Sequence, residues 1–158
     1  MREKSSLRTM VAPSLLVLVI AAGCGDGGAG HITRASLLAE LQRNPGVPFA
    51  LPRTLPSGYR LTAAETTAKD MENGGRVTVR QAYFDADEKA GGGSLVEVCM
   101  EEPAKPDQCG PGKGDGSAVH HLNGVDIVLT LHSGAAQDSN AWRHATFTTN
   151  LSEVTWLD

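Results

Sequence analysis

The chain has 158 residues, 41% of them hydrophobic and 4% aromatic, with a formal net charge of −4. Net acidity, with no basic run beyond residue 8, excludes a nucleic-acid surface, whose phosphates demand clustered Lys and Arg. Scarce aromatic residues argue against a platform that stacks sugars or single-stranded bases.

Residues 1–9 read MREKSSLRT, with Arg2, Lys4 and Arg8 against Glu3, and no charge follows from Met10 to Gly23. A helix crossing about 30 Å of hydrocarbon needs about 20 apolar residues. This uncharged run has 14 positions, with Pro13 near its start, and is too short. A basic start, a short apolar centre and small residues before a boundary are the marks of a secretory signal. Ile20-Ala21-Ala22-Gly23-Cys24 resembles the bacterial lipobox, with Ala21 where leucine is commonest. The resemblance implies a bacterial prolipoprotein. The Cys24 thiol takes a diacylglyceryl group, residues 1–23 are removed as signal peptide, and the new amino terminus is acylated. Each buried CH₂ contributes about 0.8 kcal/mol, and two or more chains give stable anchoring. The implied location is the outer face of a bacterial membrane. The alternative is an ordinary secreted protein with a cysteine near its cleavage point.

Residues 24–31, with GDGGAG after the cysteine, form a flexible tether. Residues 32–158 then form a single globular domain, enough chain for one core. The leader carries three basic residues and one acidic residue, so the remainder has a net charge of −6. With Cys24 taken by lipid, Cys99 and Cys109 are left as an even pair in an oxidising compartment. A disulfide there closes a loop of about ten residues, worth about 2–3 kcal/mol in the chain-entropy model. A metal pair is the alternative, but it lacks CxxC spacing and a second ligand pair.

Residues 33–43 predict a helix: Thr33 caps it, Leu37, Leu38 and Leu41 form its stripe, and Ile32 with Leu37 forms a hydrophobic staple. Asn44-Pro45-Gly46 ends it. The proline-rich VPFALPRTLPSGYRL is an extended connector, because the residue before each proline is pushed towards β or polyproline conformation. LPSGY is a turn into a strand over residues 59–67, and Asn73-Gly74-Gly75 is a turn. Strand 76–84 sets Val77, Val79 and Tyr83 on one side and the arginines on the other. After a polar, glycine-rich loop, strand 95–101 sets Val96, Val98 and Met100 on one face and Glu97, Cys99 and Glu101 on the other. The disulfide would clip the following loop, PAKPDQCGPGKGDG, against that strand.

In AVHHLNGVDIVLTLH, Asn123-Gly124 suits a two-residue type I′ hairpin turn. That register pairs Leu122 with Val125, His121 with Asp126 and His120 with Ile127. Leu122, Val125, Ile127, Leu129 and Leu131 face the core, and His121, Asp126, Thr130 and His132 lie on a face that is at least half wet. SNAWRHATFTTN reads as a helix capped by Ser139 that buries Trp142 and Ala145, although its threonines and Phe147 also allow a strand. EVTWL reads as a closing strand with Val154 and Trp156 on one side. The expected class is α+β: an antiparallel sheet of about five or six strands with one or two helices against one face.

The chemistry is sparse. Strand neighbours point to opposite faces, so His120 and His121 cannot chelate one ion together. His121 and Asp126 are cross-strand neighbours, a candidate surface polar site, but two ligands fall short of the four of a structural zinc site. His132 lies about 20 Å further along the strand. DADEKAGGGSLVE offers Asp85 and Asp87 to calcium, but Lys89, Ala90 and Val96 stand where an EF-hand needs oxygen, glycine and oxygen. GPGKGDG lacks the spacing and Ser/Thr of a P-loop. Gly93-Ser94 lacks the flanks of a nucleophile elbow. No catalytic residue, metal ligand set or cofactor motif is assigned. Trp142 and Trp156 are read as core.

Residues 32–158 resemble small exported lipoproteins in which LPSGY opens an antiparallel sheet, with no ligand to transfer. The expected function is a non-enzymatic binding or accessory module of the cell envelope, held by lipid on Cys24 and partnered by an envelope protein or cell-wall component. Alternatives are a carrier enclosing an apolar, lipid-like ligand and an exported enzyme without a recognisable motif.

Overall fold

The computed structural model describes residues 31–70, 75–86, 94–110, 117–132 and 135–158. The signal segment 1–23, Cys24 and residues 25–30 lie outside them. So do most of the expected turn at 73–75, the calcium-like loop from Asp87 to Gly93 and the glycine-rich residues 111–116.

Thr33 begins the first helix, α1 (Arg34–Arg43), with a reciprocal cap. Its hydroxyl accepts the Ser36 N–H at 3.2 Å, while the Ser36 hydroxyl oxygen accepts the Thr33 N–H at 3.0 Å. Asn44 closes the helix by donating its N–H to the Glu40 carbonyl at 2.9 Å. The buried stripe differs from the expected leucines. Leu37 is buried and Leu41 half-buried, but Leu38 is 46% exposed and Glu40 is buried in its place. Spacing explains the exchange: 37, 40 and 41 follow i, i+3, i+4, whereas 38 turns away by one residue's rotation.

The proline-rich connector is extended as expected, and it is also part of the core. Val47, Phe49, Ala50 and Leu51 are all buried. Gly46 allows this close passage. Its φ is +143°, and a Cβ there would sit 2.7 Å from the Thr78 hydroxyl oxygen. Strand β1 (Leu51–Pro52) pairs antiparallel with a short strand, β7 (Phe147–Thr148), near the other end of the chain.

The main sheet is formed by β2 (Tyr59–Asp70), β3 (Arg76–Ala86), β4 (Leu95–Glu101), β5 (Ala118–Leu122) and β6 (Val125–Leu131). It has five antiparallel strands in the order β2-β3-β4-β6-β5, so the fold is α+β. The β5–β6 turn has positive φ at Asn123 (41°) and Gly124 (80°), as type I′ requires. The resulting register pairs Leu122 with Val125, His121 with Asp126 and His120 with Ile127. On the inner face, Phe84, Val96 and Leu131 form one row, Ala82, Val98 and Leu129 the next, and Arg80, Met100 and Ile127 a third.

That third row decides which side of β3 faces the principal core. The alternation is as expected, and the arginine-bearing side faces the principal core, because Ala82 and Phe84 lie on it too. Arg80 is fully buried. Its Nε donates to the Val47 carbonyl, one terminal nitrogen to Thr66 Oγ1 at 2.6 Å and the other to the Asn44 carbonyl. Its guanidinium carbon lies 4.8 Å from the centre of the Phe49 ring. Burial pulls the guanidinium below its ordinary value, and the charge of Glu40 opposes that shift.

A 3₁₀ turn (Ala135–Asp138) leads into α2 (Ser139–Arg143), then β7, so the stretch holds both a helix and a strand. Asp138, not Ser139, occupies the cap position, with no side-chain cap bond. Trp142 is fully buried, edge-on to Tyr59 at 5.2 Å and tilted on Phe84 at 5.1 Å. EVTWL is not a strand: a 3₁₀ turn (Leu151–Glu153) precedes irregular chain. Val154 and Leu157, not Val154 and Trp156, are its fully buried pair. Arg34 sets this geometry. Its Nε donates to the Leu151 carbonyl at 2.9 Å, and one terminal nitrogen donates to those of Val154 at 3.0 Å and Leu157 at 2.6 Å. Carbonyls gathered on one guanidinium are not free to form a ladder.

Candidate functional site

The outer face of the sheet, away from α1 and α2, carries the polar side chains that the sequence singled out. The strand registers arrange them in rungs. Glu101, Asp126 and His121 form one rung. Gln81, Cys99, Val128 and Val119 form the next. Tyr83, Glu97 and Thr130 form another.

In the first rung His121 Nδ1 lies 2.6 Å from Asp126 Oδ1. The His121 side chain is 75% exposed and Asp126 only 16%. The hairpin register brings this pair together as its sequence spacing indicates. Glu101 is buried beside them, because its Oε2 accepts the Cys109 N–H at 2.7 Å.

The middle rung is dry on one side and open on the other. Cys99 and Cys109 are bonded, with Cα atoms 5.7 Å apart. The expected disulfide is present and holds the loop after β4 over the sheet. Cys109 packs on a small cluster of Val77, Val79, Cys99 and Val128, separate from the main core. At the sheet's edge, Val119 is 57% exposed. The outer face is therefore drier than the alternation of β6 alone suggests.

The third rung holds a second histidine–carboxylate pair. Glu97 Oε1 accepts a hydrogen bond from Gln81 Nε2 at 2.7 Å, and its Oε2 lies 3.5 Å from His132 Nε2. Burial pushes the Tyr83 phenol above its ordinary value, and the charges of Glu97 and Glu65 add to the shift. Sequence reasoning missed this group. Its signal is the β4–β6 pairing, which skips over β5 and cannot be read from adjacent turns.

His120 lies apart from all of these. It points to the inner face, with its ring 5.2 Å from that of Phe147. The two adjacent histidines thus serve opposite faces. Among the described residues, no three His, Cys, Asp or Glu side chains converge as a metal-ligand group. No helix among them is long and apolar enough to cross a membrane. Comparison with protein-family models, curated proteins and solved structures returned no match.

Proposed function

We propose that the chain is a membrane-anchored extracytoplasmic lipoprotein that acts without catalysis, as a binding or accessory module docking an envelope protein or cell-wall component. The lipobox-like IAAGC supports the anchor. The outer sheet face supports the docking surface. It places an exposed valine, Val119, next to the His121–Asp126 pair, with the His132–Glu97 pair further along the same face. An apolar centre rimmed by polar groups is the usual anatomy of a recognition surface. On the other face, the space between sheet and helices holds Phe49, Phe84, Met100 and Trp142 at 0–1% exposure. That filling favours docking over carriage of an apolar cargo, which needs a cavity of about 300 Å³ or more.

Two measurements test the two halves separately. Fatty-acid labelling in cells should be lost in Cys24→Ser, and persistent labelling refutes the anchor. A photo-crosslinking side chain at position 119 should capture a defined partner in intact cells. The same group at position 38, the exposed leucine of α1, should not. Capture from 38 and not from 119 overturns the choice of face.

A further inference from the structure

His120 is built into the inner face in a way its neighbour is not. It belongs to β5, a five-residue strand at the sheet edge, hydrogen-bonded on one side only, to β6. Its Nε2 is buried and has no hydrogen-bond partner among the described residues. The groups around it among the described residues are Ile127 across the ladder from β6, the Phe147 ring from β7, His144 at the end of α2 and, on the opposite face, His121 next in β5. None is a carboxylate. The carboxylate close to it in register, Asp126, is on the outer face and bonded to His121.

A neutral imidazole fits this site with its proton on Nδ1 and a bare lone pair on Nε2. Protonation adds an N–H at Nε2 that meets no acceptor oxygen among the described residues, and it places a positive charge in a partly dry site. A ring face attracts a cation only weakly. We propose that His120 is an acid-sensitive latch on β5: a proton taken up at its ring unseats the edge strand from Phe147 and the inner packing, and so withdraws Val119 and His121 from the outer face.

Burial holds the His120 imidazole below its ordinary value of 6.5, and the nearby His121 and His144 push it the same way. A lowered folded value means that the released strand binds the proton more readily than the seated one. The stabilisation is full above the ordinary value and declines as pH falls from there towards the folded value. Opening is favoured about tenfold for each unit between the two values.

The latch concerns the fold alone and is tested without a docking partner. In the full chain, NMR titration should show His120 inflecting below 6.5. Between pH 7.5 and 5, the Ala118, His120 and Leu122 amides, which the hairpin register turns towards β6, should lose protection, after allowance for intrinsic exchange, while the amides of β3 keep theirs. His144→Gln should raise the His120 midpoint. His120→Leu should keep β5 protected at pH 5. A His120 midpoint at or above 6.5, or β5 protection unchanged over that range, overturns the proposal. So does an equal loss of β5 protection in His120→Leu. Should His120→Leu not fold, the titration and exchange of the unsubstituted chain still decide.

Discussion

On the inner face of the sheet, Arg80 lies fully buried on Phe49 with each guanidinium nitrogen bonded, whereas on the outer face the His121 ring stands mostly in water beside Asp126. Both are charged or polar groups on strands of one sheet, yet their energetics differ. A buried charge is costly unless its partners are complete, so removing it leaves its partners stranded. An exposed pair contributes about 0–1 kcal/mol, because water and salt compete for both groups. The inner arrangement therefore fastens α1 and the connector to the sheet, and the outer one leaves polar groups free to change partners at little cost to the fold.

Arg80→Leu tests this contrast most severely. It strands the Asn44 and Val47 carbonyls and removes one of the two positive charges near Glu40, which keeps Arg43 at 3.1 Å, so chemical denaturation should show a loss of about 3–5 kcal/mol. A loss below about 1 kcal/mol, as for an exposed pair, erases the distinction between the faces. Next is the double change Cys99→Ala, Cys109→Ala, which removes the clip over the outer cluster. The expected loss is about 2–3 kcal/mol for a loop of this length, with free-thiol titration of the unfolded, unreduced parent finding neither cysteine reactive. Gly46→Ala places a methyl group against Thr78 at a strained backbone position, and a loss of about 1–3 kcal/mol is expected. Equal stability there would mean that the connector is not seated as described. The smallest effect is expected from Asp126→Asn, under about 1 kcal/mol on stability, together with weaker capture of a partner from position 119. Normal capture would detach the His121–Asp126 pair from docking.

What the sequence disclosed follows the range of the forces involved. The β5–β6 hairpin and its register were legible, because Asn123-Gly124 is a local requirement for positive φ and everything else follows by counting. The faces of β4 and the Thr33 cap were legible for the same reason. The role of Arg80 was not, because its acceptors Asn44 and Val47 lie more than 30 residues back along the chain. A lone arginine on an alternating strand reads as solvent-facing until those partners are known. EVTWL misled in the same way: its alternation is genuine, but Arg34 claims its carbonyls from the far end of the domain. At the candidate site, His121–Asp126 came from a turn and the disulfide from cysteine parity. His132–Glu97 needed a strand pairing that skips a neighbour.

The Arg34 clasp has a mechanical consequence. The backbone N–H of Arg34 also donates to the Asp158 carbonyl at 2.6 Å, so one residue is bonded to four carbonyls of the last eight residues. A pull on the chain at residue 31 enters at this corner. The load is shared among several bonds at once and is not met one bond at a time, as when a hairpin is peeled. Drag on the domain would therefore strain the closing segment against α1 before it reached the sheet, leaving both faces in shape while the chain is under tension.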